Sequence, residues 1–331
     1  MYQNKYHNIP LSDLSILITG GAGFIGSHLV EYFLVNGAAK VRVLDNFSTG
    51  FKDNLESFKT HPALEVMDGD IRNPETCKEA VKGIDYVSHQ AALGSVPRSI
   101  NDPVTTNEVN ISGFLNMLVA AKEEGVKKMV YAASSSTYGD SPVLPKKEEN
   151  IGRPLSPYAV TKYVNELYAN VFSDVYGFHT IGLRYFNVFG PRQNPGGAYA
   201  AVIPLFISSA LNNEPAFING DGLNSRDFTF VSNAIQANVK TMFSTHLQKH
   251  EVINVACGSQ TTLNELWKDI CDYLGLNIEA RYREERIGDV RYSLADISKG
   301  AKMFGYIPEY NITEGLKLTI DWYKEQVSAG V

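Results

Sequence analysis

Between Ser15 and Arg184 short apolar runs alternate with longer stretches of helical period. ILIT (Ile16 to Thr19), VRVLD (Val41 to Asp45), ALEVM (Ala63 to Met67), YVSHQ (Tyr86 to Gln90), KMVYAA (Lys128 to Ala133) and TIGLRY (Thr180 to Tyr185) read as six strands. Helices are predicted near Ile25 to Asn36, Asn73 to Val81, Val104 to Glu124 and Pro157 to Tyr176. This alternation predicts an α/β fold with a doubly wound parallel sheet. After Asn187 it fails. Pro, Gly and Asn cluster in FGPRQNPGGAY and NNEPAFINGDGLNS, which read as loops over a binding face. Helices resume near Ser232 to His246, Thr262 to Leu274 and Ile312 to Gln326. The expectation is a sheet domain over residues 1–187, with later segments returning to it. Residues 188–331 form a smaller, irregular α/β domain that shares a cleft with it.

Composition narrows the class. A chain of 331 residues with 44% hydrophobic and 20% charged residues can bury a sizeable core, which excludes disorder and coiled coils. Thirty Lys+Arg against 36 Asp+Glu, a net charge of -6, come without a block of like charge, so neither nucleic acid nor a membrane surface is an expected partner. Residues 1–12 lack an apolar signal core, and no run of 18 apolar residues occurs. Cys77, Cys257 and Cys271 suit buried thiols in a reducing compartment, hence a cytoplasmic address. His246 and His250 stand four apart, but HLQKH lacks the Glu of a zinc motif and reads as a solvated helix end; no metal is expected.

Three segments carry chemistry. Gly20-Gly21-Ala22-Gly23-Phe24-Ile25-Gly26 lies between a strand and a helix, where glycines permit a tight turn and let helix amides face a pyrophosphate. Asp45 ends the second strand 25 residues after Gly20, placed to bond a ribose diol and repel a 2′-phosphate, which favours NAD over NADP. Asp70 and Ile71, after the third strand, could meet the adenine or serve an ordinary loop. Tyr158 and Lys162, in SPYAVTK, share a helix face at i,i+4, and a cation there stabilises a phenolate as base. Ser156 is a candidate N-cap and Pro157 a first helical residue. Ser134, Ser135 and Ser136 follow the fifth strand at the ligand-binding end of such a sheet, where a hydroxyl could relay a proton to Tyr158.

Taken in order, the GGxGFIG turn, strand-end Asp45, SSSTYG, YAVTK and RYFNVFGPRQ resemble the extended short-chain dehydrogenase/reductase family, over about Ser15 to Tyr323. Within it the chain is most similar to bacterial UDP-N-acetylglucosamine 4-epimerases. AALGSVPRSINDP, YAASSSTYGD, LSPYAVTKYVNE and GAYAAVIP suggest that subgroup. The resemblance implies a Rossmann domain holding NAD through Gly20, Gly23, Phe24, Ile25, Gly26, Asp45, Asn46, Ser48, Asp70, Ile71, Gln90, Ala92, Asn110, Tyr158 and Lys162. It assigns catalysis to Ser134, Tyr158 and Lys162, through a transient 4-keto sugar. For a UDP-sugar it implies Asn187 on the substrate, Asn219 and Gly220 at uracil, Arg226 and Arg286 on the diphosphate, and Asp289 at the uridine ribose.

Sugar choice rests on the same resemblance. Ser293 stands where glucose-restricted members carry a bulky aromatic, and a small residue leaves room for a 2-acetamido group. Gly94, Ser95, Arg98, Ser135, Gln193 and Ala201 match other pocket positions. UDP-glucose 4-epimerase is the runner-up reading. A uronate 4-epimerase stays open but needs a cation at the sugar C6. A dehydratase lacks its Asp-Glu pair, since Ser135 and Ser136 stand there, and a silent NAD-binding scaffold would be expected to lose the Tyr, Lys or Ser. Ser232, where the family has Asp or Asn, is expected to cap its helix equally well. The family often dimerises through a four-helix bundle, here the Val104 to Glu124 and Pro157 to Tyr176 helices. An N-acetylgalactosamine donor for surface polysaccharide is the expected product.

Overall fold

The computed structural model describes Tyr2 and residues 4–196, 200–285 and 291–329. Its centre is a seven-stranded sheet of β1 (Ser15–Thr19), β2 (Lys40–Asp45), β3 (Leu64–Asp68), β4 (Tyr86–His89), β5 (Lys128–Ser134), β6 (Thr180–Tyr185) and β7 (Glu251–Val255), in the order β7-β6-β5-β4-β1-β2-β3. Every neighbouring pair is parallel. The winding reverses between β1 and β4, the point at which such sheets open a ligand crevice beyond their carboxyl ends.

Two-sided burial explains the continuous apolar runs. In β1, Ile16 and Ile18 join a core with Leu29 and Phe33 of α1 (Phe24–Val35), whereas Leu17 joins a second core with Cys77 of α2 (Pro74–Val81) and Met117 of α3 (Phe114–Glu124). All three β1 side chains are fully buried, each worth about 2 kcal/mol of apolar transfer. The long helix α4 (Pro157–Tyr176) begins as its sequence predicts: Ser156 Oγ accepts the Ala159 amide at 3.1 Å, Pro157 opens the first turn, and Gly177 at φ +66° ends it.

Four expectations are corrected. The six strands read from the sequence are present, but β7 is a seventh, pairing with β6 from Glu251↔Ile181 to Val255↔Tyr185. The single helix expected over Val104 to Glu124 is a short helix Pro103–Asn107, a π-helical turn Glu108–Gly113 and α3. Ser232 does not cap its helix, α5 (Val231–Phe243). Phe230 holds the cap position, and the buried Ser232 side chain faces the phenols of Tyr2 and Tyr6 instead. His250 is not simply solvated: its Nδ1 lies 2.9 Å from Thr180 Oγ1 and its ring stacks on Tyr131. Among the described residues no helix is long and apolar enough to cross a membrane.

Candidate active site

A cavity of about 810 Å³ lies at the carboxyl ends of the strands, from the glycine turn after β1 to the end of β5 and the first turns of α4. Gly20, Gly23, Phe24, Ile25 and Gly26 line one end. Two of these positions admit only glycine. At Gly20 the backbone has φ +67° and an added Cβ would stand 2.8 Å from the Ala91 amide nitrogen; at Gly26 it would stand 2.1 Å from the Gly20 carbonyl oxygen. The helix N-terminus can thus approach the turn closely and leave its amides for an anion.

Asp45, buried at the end of β2, lines the same end. Its Oδ2 accepts the Ala22 amide at 2.9 Å and its Oδ1 the Phe47 amide at 2.8 Å. Burial raises its pKa, and those two bonds work against the rise. A carboxylate has about four lone-pair directions, so two remain for a ribose diol. Asn46, Ser48, Asp70 and Ile71 complete this end. Asp70 is already engaged: Arg72 Nη2 and Asn46 Nδ2 donate to Oδ2 at 2.7 and 2.9 Å, and the Arg72 side chain holds the carboxyl down to about 2. The glycine cradle and the fixed Asp45 carboxylate fit an adenine dinucleotide with a free 2′-hydroxyl.

At the other end stand Ser134, Ser135, Tyr158 and Lys162. Ser134 closes β5, and its Oγ accepts from the Ser136 amide at 3.1 Å and from Ser136 Oγ at 2.9 Å. The Tyr158 phenol faces this hydroxyl; burial raises the phenol's pKa, and Ser134 beside it lowers it. Lys162 is buried, with Nζ donating to the Ala132 carbonyl at 2.8 Å and lying 5.9 Å from the centre of the Tyr158 ring. Burial pushes its ammonium down to about 8, partly offset by Glu166 one turn further along α4. Tyr158 and Lys162 therefore stand one helical turn apart on α4, with Ser134 beside them at the end of β5.

The remaining positions divide. Ala92, Gly94, Ser95, Arg98, Asn187, Gln193 and Ala201 line the larger cavity. Gln90 does too, but its carboxamide is committed to the protein: Nε2 donates to Ser88 Oγ and to Asn238 Oδ1, and Oε1 accepts from Tyr185. Asn110 lies buried in the π-helical turn rather than in the cavity lining. Its amide holds Leu93 by both backbone groups, accepting at 2.8 Å and donating at 3.1 Å, and so shapes the wall indirectly. A second cavity of about 400 Å³ shares Ser135 and Asn187 with the first and brings in Arg226 and Ser293. Asn219 and Gly220 line neither cavity. They belong to a short strand, Phe217–Asn219, and the turn after it, paired with Arg281–Arg283. Arg286 and Asp289 lie outside the described residues.

Tyr185, Leu93 and Lys146 also line these cavities and were not singled out in the sequence. Tyr185 stands two positions before Asn187 at the carboxyl end of a strand, which is the signal that could have found it.

Comparison with known proteins agrees with this geometry. The solved UDP-N-acetylglucosamine 4-epimerase from Methanobrevibacter ruminantium, in complex with UDP-N-acetylmuramic acid, is 40% identical with a TM-score of 0.90, covering 95% of this chain and 99% of its own. The Thermus thermophilus UDP-glucose 4-epimerase complex with NAD is 35% identical with a TM-score of 0.84, covering 94% and 99%. A UDP-glucuronate 4-epimerase of Thermodesulfobacterium geofontis is 34% identical over 94% of this chain and 96% of its own. Residues 16–256 match the NAD dependent epimerase/dehydratase family, and this chain belongs to that family as an NAD-dependent enzyme.

Proposed function

We propose that the enzyme inverts C4 of a UDP-hexose, with UDP-N-acetylglucosamine and UDP-N-acetylgalactosamine as its preferred pair. One observation carries this reading: Ser134, Tyr158 and Lys162 converge at one end of a cavity whose other end is the Gly20, Gly26 and Asp45 cradle. NAD, which the glycine turn and Asp45 would hold, would supply the hydride acceptor and donor for C4. The chain's own part is proton handling and orientation. Tyr158 takes the 4-hydroxyl proton, Ser134 relays it, and the same phenol returns it. The Lys162 ammonium favours the phenolate and, held by the Ala132 carbonyl, keeps its remaining donors for a ribose hydroxyl.

The substrate is held chiefly by its nucleotide. Asn187, Arg226 and Arg286 bind the UDP diphosphate and sugar, Asp289 the uridine ribose, and Asn219 with Gly220 the uracil. Ser293 supports the N-acetylated sugar, being a small residue in the lining of the adjoining cavity. Residues 1–187 serve the cofactor and 188–331 mainly the UDP-sugar, in a cytoplasmic enzyme that supplies an N-acetylgalactosamine donor for polysaccharide. Incubation with UDP-N-acetylglucosamine and UDP-glucose in separate assays tests the sugar choice; equal or faster conversion of UDP-glucose overturns it. Purified protein without retained NAD, inactive also with added NAD, overturns the redox reading.

The protein acts as a homodimer through a four-helix bundle built on α4. Val160, Leu167, Val171 and Val175 share one face of that helix and are 46%, 51%, 50% and 65% exposed, an apolar stripe that a partner would bury. Leu167→Glu with Val171→Glu should halve the mass seen by light scattering. A wild-type monomer sinks the idea.

A further inference from the structure

The smaller cavity contains chemistry that the C4 reaction does not use. Val96, Pro97, Ile100 and Leu155 give it apolar walls, and three of these are substantially exposed, Val96 at 40%, Ile100 at 61% and Leu155 at 53%. Lys146 lies in the same lining and is 6% exposed. Its Nζ donates to the Ser141 carbonyl, and among the described residues it pairs with no carboxylate. Burial is the cause that pushes its ammonium below the usual lysine range.

The main chain fixes Lys146 beside the Ser293 segment. Its amide donates to the Leu294 carbonyl at 2.7 Å, and its carbonyl accepts the Asp296 amide and Asn254 Nδ2, each at 2.9 Å. Among the described residues this buried ammonium has no counter-ion, which is unfavourable, and three donors against one acceptor leave it under-satisfied. An anion entering this cavity relieves both. The cavity adjoins the reacting centre, because Ser135 and Asn187 line both spaces.

We infer that the smaller cavity is a subsite for a carboxylate carried by the sugar of the substrate, with Lys146 as its counter-charge and Val96, Ile100 and Leu155 packing on the carbons that bear it. This rests on the reading of the site as a UDP-hexose site. The carboxylate is either C6 of a hexuronate or the acid of an ether-linked substituent. Lys146 is thereby the cation that a uronate reading requires, and one that sequence spacing did not reveal.

The holoenzyme is assayed with UDP-N-acetylglucosamine, UDP-glucuronic acid and UDP-N-acetylmuramic acid at one pH and ionic strength. At least one acidic sugar should be epimerised with kcat/KM no more than about tenfold below that of UDP-N-acetylglucosamine, and which one it is identifies the source of the carboxylate. Lys146→Met should lower the ratio of acidic to neutral kcat/KM by about tenfold or more, whereas Lys146→Arg, which keeps the charge, should hold it within about threefold. Conversion of UDP-N-acetylglucosamine alone overturns the subsite and leaves the C4 reading standing. An equal loss on all three sugars in Lys146→Met also overturns it, making Lys146 a diphosphate or structural residue. Failure with every UDP-sugar overturns the C4 reading and the subsite together. The wild-type comparison does not depend on either variant folding.

Discussion

Asn187 Nδ2 donates to the main-chain carbonyl of Asp227 at 3.0 Å, joining the segment after β6 to the residue that follows Arg226. Asn187 does so from a left-handed backbone at φ +37°, which Asn tolerates better than most residues. The Asp227 carboxylate is fully buried and accepts the amides of Cys257, Gly258 and Ala295 at 2.9, 3.0 and 3.2 Å. Burial pushes it up to about 6 against these bonds. One residue thus ties together the chain around Asn187, Arg226, the end of β7 and the Ser293 segment.

Asp227→Asn replaces an acceptor oxygen by a donor facing backbone amides. The expected result is a stability loss of about 2–3 kcal/mol by urea titration, at least one buried donor being left unpaired. KM for the UDP-sugar should rise about tenfold with a smaller fall in kcat, since the altered contacts lie on residues proposed to hold the substrate. Retained NAD should match wild type. An unchanged KM in a folded variant removes the positioning role.

Tyr158→Phe deletes the phenol hydroxyl that faces Ser134 and leaves the ring in place. Turnover should fall by about 10²–10⁴-fold, the usual worth of a positioned acid or base. UDP affinity by calorimetry should stay within about threefold, because the residues proposed for the nucleotide lie elsewhere. Substantial residual turnover would assign proton transfer to Ser134 or to water.

Lys162 gives the reaction an alkaline limit. Its ammonium is held down to about 8 by burial, so as pH rises through that value the cation beside Tyr158 is lost, and with it the field that would ease ionisation of the phenol. Turnover should decline as pH rises through about 8, and Lys162→Met should be slow throughout with that limb absent. A wild-type profile flat to pH 10 contradicts this. The same shift bears on stability with a defined sign: folded Lys162 binds fewer protons than unfolded between about 8 and 10.5, so its contribution favours the fold increasingly as pH rises across that window.

Gly26→Ala places a methyl group 2.1 Å from the Gly20 carbonyl oxygen, backbone that cannot swing aside as a side chain could. α1 must shift away from the turn, at about 1–3 kcal/mol of strain. Nucleotide released on denaturing the purified variant should fall to a small fraction of the wild-type amount. Full retention would show that the cofactor does not lie against this turn.

Local pattern determined much of this protein. Six strands followed from apolar runs buried on two faces, and the start of α4 from Ser156 and Pro157, because caps and periodicity act over a few residues. The Gly20 turn, Asp45, Ser134 and the Tyr158/Lys162 pair were legible for the same reason: each is a residue type at a strand end or on one helix turn. What needed the tertiary structure is what depends on distant segments meeting. β7 joins the sheet through its register with β6, the π-helical turn directs Asn110 toward the Leu93 backbone, and Ser232 meets the phenols of Tyr2 and Tyr6. Gln90 is bound by Asn238, 148 residues away, and Lys146 shares a cavity with Ser293. No spacing in the chain encodes these, since a buried polar group takes whichever partner the packed fold brings within about 3 Å.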